Sequence, residues 1–343
     1  MVGTMKMWQY AHLEAGLEDA IHLVTGPIPT ASSLVKDQIL VRVLNVSINP
    51  VDYKLPESFM ESISVRRPAI PGLDFCGRVI AAHTSVHTFT EGQLVFGGFS
   101  RTPQNGTLAE YTVITAAECA ALPVGIDPEQ AAAAATAATT ALQSLPIDVV
   151  KPGATVFING GSGGVGSWGL QFAKAMGARF VTSCSGTAVE LCKQLGADEV
   201  IDYRESDIIA ELKGRGAVFD LVVDNVGNTS DLYDLSSTIL KPGGTFVQVG
   251  IGGTMDLKSI AMIVKRSLLT SVLVGRRNYY FVKANNSTEL LTQIAQWMAE
   301  GKAKAVIDCR FALEEVPQSF RQLKKRHTRG KIVIRVAGLR LAG

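Results

Sequence analysis

Thr155-Val156-Phe157-Ile158-Asn159 leads into Gly161-Ser162-Gly163-Gly164-Val165-Gly166, and the chain runs on through Trp168-Gly169-Leu170-Gln171-Phe172-Ala173-Lys174. A short apolar run, a glycine turn and an amphipathic run in that order predict a strand, a turn and a helix. The order matters because a dinucleotide pyrophosphate rests on a helix N-terminus only if no side chain in the preceding turn holds it away. Gly161 is expected to make the tight turn, Gly163 to let the backbone approach the phosphates, and Gly166 to let the helix close on its sheet. With 33 glycines in 343 residues, the spacing alone arises by chance. The strand before it and the helix after it favour a nucleotide site at Gly161, Ser162, Gly163, Gly164, Val165 and Gly166 over a loop that only turns a corner.

Working outward, a chain of this length predicts two domains. Hydrophobic residues at 47% and charged residues at 19% describe an ordinary globular protein, and a net charge of +2 gives no electrostatic basis for binding nucleic acid or an acidic membrane. The basic residues between Arg321 and Lys331 alternate with Leu323, His327 and Gly330, as on a solvated helix face. Cys76, Cys119, Cys184, Cys192 and Cys309 are odd in number and have no paired spacing, so reduced thiols and a cytoplasmic location are expected. The segment from Met1 to Tyr10 lacks the apolar core of a secretory signal, and none is predicted. The alanine-rich stretch Ala131 to Leu142 is too short to span a bilayer and reads as one buried helix.

Up to about Leu122 the pattern is short alternating strands, as in Gln38 to Val46, Gly77 to Ala81 and Glu110 to Ile114. From Pro123 to about Gly275 it becomes strand and helix in alternation, the mark of a parallel sheet covered on both faces. Strands are predicted at 155–159, 179–184, 199–202, 219–224, 244–249 and 269–274. Helices are predicted at 187–195, at 230–240 with a stop at Lys241-Pro242-Gly243-Gly244, and at 286–300, followed by a last strand from Gly330 to Val336.

Further segments now align: Asn49-Pro50-Val51-Asp52-Tyr53-Lys54, Pro71-Gly72-Leu73-Asp74-Phe75-Cys76-Gly77, Thr140-Ala141-Leu142, Leu195 to Tyr203, Asp224-Asn225-Val226-Gly227 and His327-Thr328-Arg329-Gly330-Lys331. In this order and almost end to end, the chain resembles the medium-chain dehydrogenase/reductase superfamily, in its zinc-free quinone-oxidoreductase and enoyl-reductase branch. The resemblance implies an α/β fold in which a Rossmann doubly wound parallel sheet is inserted in a GroES-like β-barrel catalytic domain, with the active site in a cleft between the two. The boundaries expected are 1–122 and 276–343 for the catalytic domain and 123–275 for the Rossmann domain.

No metal site is predicted. A catalytic zinc needs converging Cys, His or carboxylate ligands, and a structural zinc needs four closely spaced cysteines. The alcohol-dehydrogenase branch carries a cysteine in the segment matching Asn49 to Asp52 and Gly-His-Glu where this chain has Gly72-Leu73-Asp74. His83 and His87 lie in what reads as a strand end and loop.

NAD-preferring sites place an acid about 20 residues beyond the glycine turn, to accept from the ribose 2′-hydroxyl. Here Ser183-Cys184-Ser185-Gly186-Thr187 stands there. Small hydroxyl residues donate to a 2′-phosphate and an acid repels it, so NADPH is the expected cofactor. The resemblance adds the Tyr203 phenol at that phosphate. It also places Val249, Gly250, Ile251 and Lys331 at the nicotinamide and ribose end, Thr140 near the carboxamide, and Asn225 among the cofactor contacts. Relatives carry a Lys or Arg soon after the serine, whereas this chain runs Ala188-Val189-Glu190, with Lys193 as the nearest substitute.

Hydride transfer needs its acceptor carbon held in position and water excluded, and the developing anion needs a proton or a donor. Asn49, Asp52, Tyr53 and Lys54 are the candidates. In an extended segment Asp52 and Lys54 share one face and Tyr53 takes the other. Either Tyr53 faces the pocket as the acid, or Asp52 and Lys54 form an ion pair and water protonates the product. Tyr279, Tyr280 and Phe281 would suit a small apolar conjugated substrate or pack as plain core. The expected activity is zinc-independent, NADPH-dependent reduction of an enone, enal or enoyl thioester at its β-carbon. Quinone reduction, and a non-catalytic nucleotide-binding role, are the alternatives. Ser267 to Val274 reads as an apolar edge strand, from which, with the habit of relatives, a homodimer is expected.

Overall fold

Residues 3–58, 65–227, 230–253, 256–272 and 277–337 are described by the computed structural model. The chain divides into two units, Met1–Thr139 with Asn285–Gly343, and Thr140–Ala284.

The first unit begins with the antiparallel pair β1 (Thr4–Gln9) and β2 (His22–Pro27), separated by a single helical turn, α1 (Leu17–Ala20). The long strand β3 (Gln38–Ile48) is rich in Ile, Val and Leu, is buried along most of its length, and pairs with strands on both edges. It ends in a helical turn, α2 (Val51–Lys54). Next come β4 (Asp74–Ala82), β5 (Leu94–Gly98), β6 (Tyr111–Thr115) and β7 (Cys119–Ala121). The predicted alanine helix is two helices, α3 (Pro128–Ala132) and α4 (Ala135–Gln143), with a break at Ala133–Ala134. Asp127 caps α3 by accepting from the Glu129 amide at 2.7 Å, and Pro128 opens it.

The second unit holds β8 (Thr155–Asn159), α5 (Gly164–Ala175), β9 (Arg179–Cys184), α6 (Val189–Gln194), β10 (Glu199–Asp202), α7 (Ile208–Arg215), β11 (Phe219–Asp224), α8 (Ser230–Ile239), β12 (Leu240–Gln248), α9 (Leu257–Val272) and β13 (Arg277–Phe281). All of its strand pairs are parallel, in the order β10-β9-β8-β11-β12-β13. The chain leaves β8 in one direction and returns through β11 in the other, so the crevice beyond their C-terminal ends is the switch point where such sheets bind ligands. The aromatic core of this unit includes Phe157, Phe219 and Phe246.

The chain then re-enters the first unit through α10 (Thr288–Ala299), β14 (Ile307–Ala312), α11 (Val316–Lys324) and β15 (Lys331–Arg335). β15 pairs antiparallel with β3, completing a seven-stranded sheet in the order β14-β15-β3-β4-β5-β7, with β6 on β3. The Trp8 indole N–H donates to the Leu313 carbonyl at 2.7 Å and ties the two chain ends together.

Several expectations are corrected. The strand predicted at 269–274 is helical through Val272, and Leu273 and Val274 lie outside the described residues. Ser259, Met262, Ile263 and Arg266 form the inward stripe of that helix at a helical spacing, and the sixth strand comes later, at Arg277–Phe281. Lys241 to Gly244 does not separate helix from strand, since β12 starts directly after Ile239. The unit boundaries fall at 139/140 and 284/285 rather than 122/123 and 275/276. The physical reason is that α3 packs on the barrel strands while β13 completes the parallel sheet. The Asn286 side chain anchors the returning chain in the first unit, donating to the Gly98 carbonyl at 2.7 Å and accepting from the Thr139 hydroxyl at 2.9 Å.

Candidate active site

At the switch point, polar residues end strands that are otherwise apolar. Asn159 closes β8, receives the Ser183 hydroxyl of β9 at 2.6 Å and donates to Asp224 of β11 at 2.8 Å. Asp224 Oδ1 also accepts the Val226 and Gly227 amides at 3.1 and 3.0 Å, and its carbonyl accepts those of Val249 and Gly250. This lacing brings Asn225, Val249 and Gly250 of the predicted set together beside the glycine turn, with Ile251 following. Asn225 donates to the Asn159 carbonyl at 3.1 Å, while its buried Oδ1 accepts nothing. Sequence reasoning missed Asn159 and Asp224 as organisers. The available signal was a polar residue at the end of each apolar run.

The turn differs from expectation in one respect. Gly160, not Gly161, takes the left-handed conformation at φ 77°. Gly166 is needed for close approach, since a Cβ there would stand 2.1 Å from the Gly160 carbonyl oxygen. Gly163 is different: a Cβ on it would meet only the Gly160 oxygen, at 3.5 Å. The chain itself leaves that space open. Gly163 is also the N-cap of α5 and supplies no side-chain acceptor, so the first amides of the helix lack intrahelical partners. An open cradle at a twelve-residue helix N-terminus, with the unpartnered Asn225 oxygen nearby, suits a dinucleotide's pyrophosphate and a ribose hydroxyl.

Beyond β9, Ser185 is half-buried, and Gly186, Thr187 and Tyr203 are exposed. The expected absence of an acid in this region does not hold in three dimensions. Asp202, at the end of β10, brings its carboxylate against Gly186. Thr140 is buried at the start of the second unit. The Tyr279 phenol donates to Gln248 Oε1 at 2.9 Å and its ring stacks on Phe246, so it belongs to the interior of this unit, while Tyr280 on the opposite face of β13 is exposed.

The first unit gathers the other predicted polar residues. Asn49, Asp52, Asp74 and Lys331 meet where β3, β4 and β15 converge, and all four are buried. The Lys331 ammonium donates to the Ile48 carbonyl at 3.1 Å and to Asn49 Oδ1, and stands 3.6 Å from Asp74. Its ammonium is thus buried among these oxygens. Asn49 donates to Asp74 at 2.9 Å, and the other Asp74 oxygen accepts the Thr136 amide at 3.1 Å. Asp52 Oδ2 accepts the Asn49 amide at 2.6 Å, whereas its Oδ1 is buried without a partner.

Burial, then the like charge of Asp74, push the Asp52 carboxyl up to about 7 against the Asn49 amide and Lys331. Burial holds Lys331 below its ordinary range, with Asp74 and Asp52 pulling the other way. The segment is helical rather than extended, so strand alternation does not apply. Asp52 faces the Lys331 cluster instead of forming the predicted pair with Lys54. Tyr53 packs into the barrel core with the Lys324 ammonium 5.0 Å from its ring centre, and burial raises its phenol above the usual value. Lys54 is half-buried, and burial followed by Arg326 lowers its ammonium.

Among the described residues no group of three or more His, Cys, Asp or Glu is arranged to hold a metal ion. His83 instead bonds through Nδ1 to Ser85 at 2.9 Å. Asn49 and Asp74 lie in the two segments where the alcohol-dehydrogenase branch carries its cysteine and its Gly-His-Glu, and here they hold a lysine ammonium, so this donor set does not fit a metal.

Residues 35–124 match the family described as alcohol dehydrogenase GroES-like domain, and residues 195–334 the family described as zinc-binding dehydrogenase. The chain is 37% identical to a trans-enoyl reductase of Aspergillus terreus over 97% of its length and 96% of that protein. It is 29% identical to the chloroplastic NADPH-dependent alkenal/one oxidoreductase of Arabidopsis thaliana, over 96% of this chain and 79% of that one. The structure of the quinone oxidoreductase from Coxiella burnetii aligns with a TM-score of 0.83 at 29% identity, covering 98% of this chain and 100% of the other. A parallel sheet in the order 3-2-1-4-5-6, an open glycine cradle and a GroES-like barrel, together with these relatives, make the chain an oxidoreductase belonging to the medium-chain dehydrogenase/reductase superfamily, in the branch of the quinone oxidoreductases and enoyl reductases.

Proposed function

We propose that this protein is a zinc-independent, NADPH-dependent reductase that saturates the conjugated double bond of a small apolar enone, enal or enoyl thioester. Its superfamily works with a nicotinamide cofactor, which when bound supplies a hydride, here to the β-carbon of the acceptor. The observation that carries the reading is the composition of the buried cluster at Asn49, Asp52, Asp74 and Lys331, where an ammonium stands among the oxygens. A plain ketone needs its oxygen strongly polarised as charge develops, and these residues provide no ligand set for a metal to do that. A conjugated acceptor spreads the charge over several atoms, so ordinary hydrogen-bond donors suffice.

The residues of the glycine turn, Gly161 to Gly166, bind the pyrophosphate with backbone amides, and Asn225 accepts from a ribose hydroxyl. Val249, Gly250 and Ile251 with Thr140 take the nicotinamide end, and Ser185, Gly186, Thr187 and Tyr203 the adenosine end. With the Tyr53 ring in the barrel core, the α-carbon proton comes from solvent. The names of the fungal and plant relatives support the alkene reading. Quinone reduction is the second reading, favoured by the likeness to the Coxiella burnetii enzyme over its whole length. Five free thiols support a reducing compartment such as the cytoplasm, and no described helix is long and apolar enough to cross a membrane.

Turnover with C4-deuterated NADPH and a panel of enones, enoyl thioesters and quinones tests the proposal. Deuterium is expected at the β-carbon alone, and activity is expected to survive exhaustive chelation. Deuterium on a carbonyl carbon, or activity restored only by zinc, would overturn it.

A further inference from the structure

Asp202 ends β10 directly beside the loop that follows β9. It pairs in register with Cys184, and the Tyr203 amide donates to the Cys184 carbonyl at 3.1 Å, clipping the two strand ends together. Asp202 Oδ1 accepts the Arg204 amide at 3.0 Å, which fixes the side chain and leaves Oδ2 against Gly186. A Cβ on Gly186 would lie 2.3 Å from that oxygen. The carboxylate therefore fills the space that any other residue at 186 would claim. The loop itself is open, since Gly186, Thr187 and Tyr203 are exposed. Counting along the chain from the glycine turn finds hydroxyl residues here, whereas the acid arrives from the next strand.

We propose that Asp202 is a specificity-determining residue at the adenosine end of the coenzyme site. It accepts from a 2′-hydroxyl and opposes a 2′-phosphate, holding the preference for NADPH below what Ser185, Tyr203 and the exposed Arg204 would otherwise give. This rests on the assignment of Ser185 to Thr187 as the coenzyme loop. A phosphate monoester carries close to two negative charges at neutral pH, so one fixed carboxylate at the loop acts on it far more than on a hydroxyl. Salt screens such an effect at an exposed loop, so its size falls as ionic strength rises.

The test is calorimetric binding of 2′,5′-ADP and 5′-AMP to the wild-type protein and to Asp202→Asn, which keeps an acceptor for the Arg204 amide and loses the charge. Asp202→Ser serves the same purpose if Asn disturbs the fold. Affinity for 2′,5′-ADP is expected to rise at least fivefold at low salt, whereas affinity for 5′-AMP is expected to stay level or fall. The NADPH-to-NADH affinity ratio is expected to rise in parallel. If the wild type binds 2′,5′-ADP and both variants bind it equally well, the role of Asp202 is refuted while the coenzyme loop stands. If neither mononucleotide nor NADPH binds the wild type, the loop assignment and the role of Asp202 fall together.

Discussion

Asp52 departs from the ordinary chemistry of its type. Its folded carboxyl lies near 7, above the ordinary value of 3.8, because burial and Asp74 both penalise the charge. A raised folded pKa favours the protonated form, so its stabilising contribution is complete below about pH 4 and is lost as the pH rises through 7. The loss amounts to about 4 kcal/mol by linkage. Thermal melts from pH 5 to 8 should therefore show a stability decline in the wild type that is flatter in Asp52→Asn, which keeps an acceptor for the Asn49 amide. Parallel declines would show that the pH dependence does not arise at Asp52. At Tyr53 the expectation is small: Tyr53→Phe should change kcat by less than about threefold if solvent is the proton source, whereas a fall of roughly 10²-fold would make the phenol the general acid.

At the scale of elements, the glycine turn separates folding from binding. Gly163 has φ −76° and an open Cβ position, so Gly163→Ala should leave the melting temperature unchanged or slightly higher. If the turn cradles the pyrophosphate as proposed, the change should weaken NADPH binding about tenfold or more, about 1.4 kcal/mol, because the methyl group would stand where phosphate oxygens approach the backbone. Gly166→Ala should instead lower stability, since its methyl would meet the Gly160 carbonyl. Fluorescence titration and melting of both variants check the pair. The turn was legible because strand, glycines and helix each carry local patterns that tertiary packing did not override. Asp202 was not legible, because register between β9 and β10, rather than distance along the chain, brings it to Gly186. The helical turn at Val51 to Lys54 was missed for a related reason: four residues after a long strand are too few to display a period.

For the whole molecule, β13 is the edge of the six-stranded sheet and pairs only with β12 in it. Tyr280 on that edge is 46% exposed, and Leu257, Val264 and Leu268 stand out from the neighbouring α9. An edge strand with no second partner among the described residues, beside exposed apolar side chains, invites a second copy. We therefore expect a homodimer by light scattering at micromolar concentration, and a monomer when Tyr280 and Leu268 are both changed to Asp. A wild-type monomer would refute the expectation. The sequence carried the existence of this edge but misplaced it, because the apolar run from Ser267 to Val274 has the composition of a strand while its part up to Val272 lies in α9.

The bond between the Thr139 hydroxyl and the Asn286 amide oxygen joins residues 147 positions apart. For an unstructured chain, closing a loop of that size carries an entropic cost of several kcal/mol. If the intervening unit folds first, its own two ends are drawn together and the loop left to close shrinks to a few residues. The barrel, whose strand β15 must find β3 across the same gap, thereby gains its final partner from a chain already shortened by its neighbour's folding. The connectivity thus gives the closing of the barrel its smallest entropic cost when the parallel sheet is already formed.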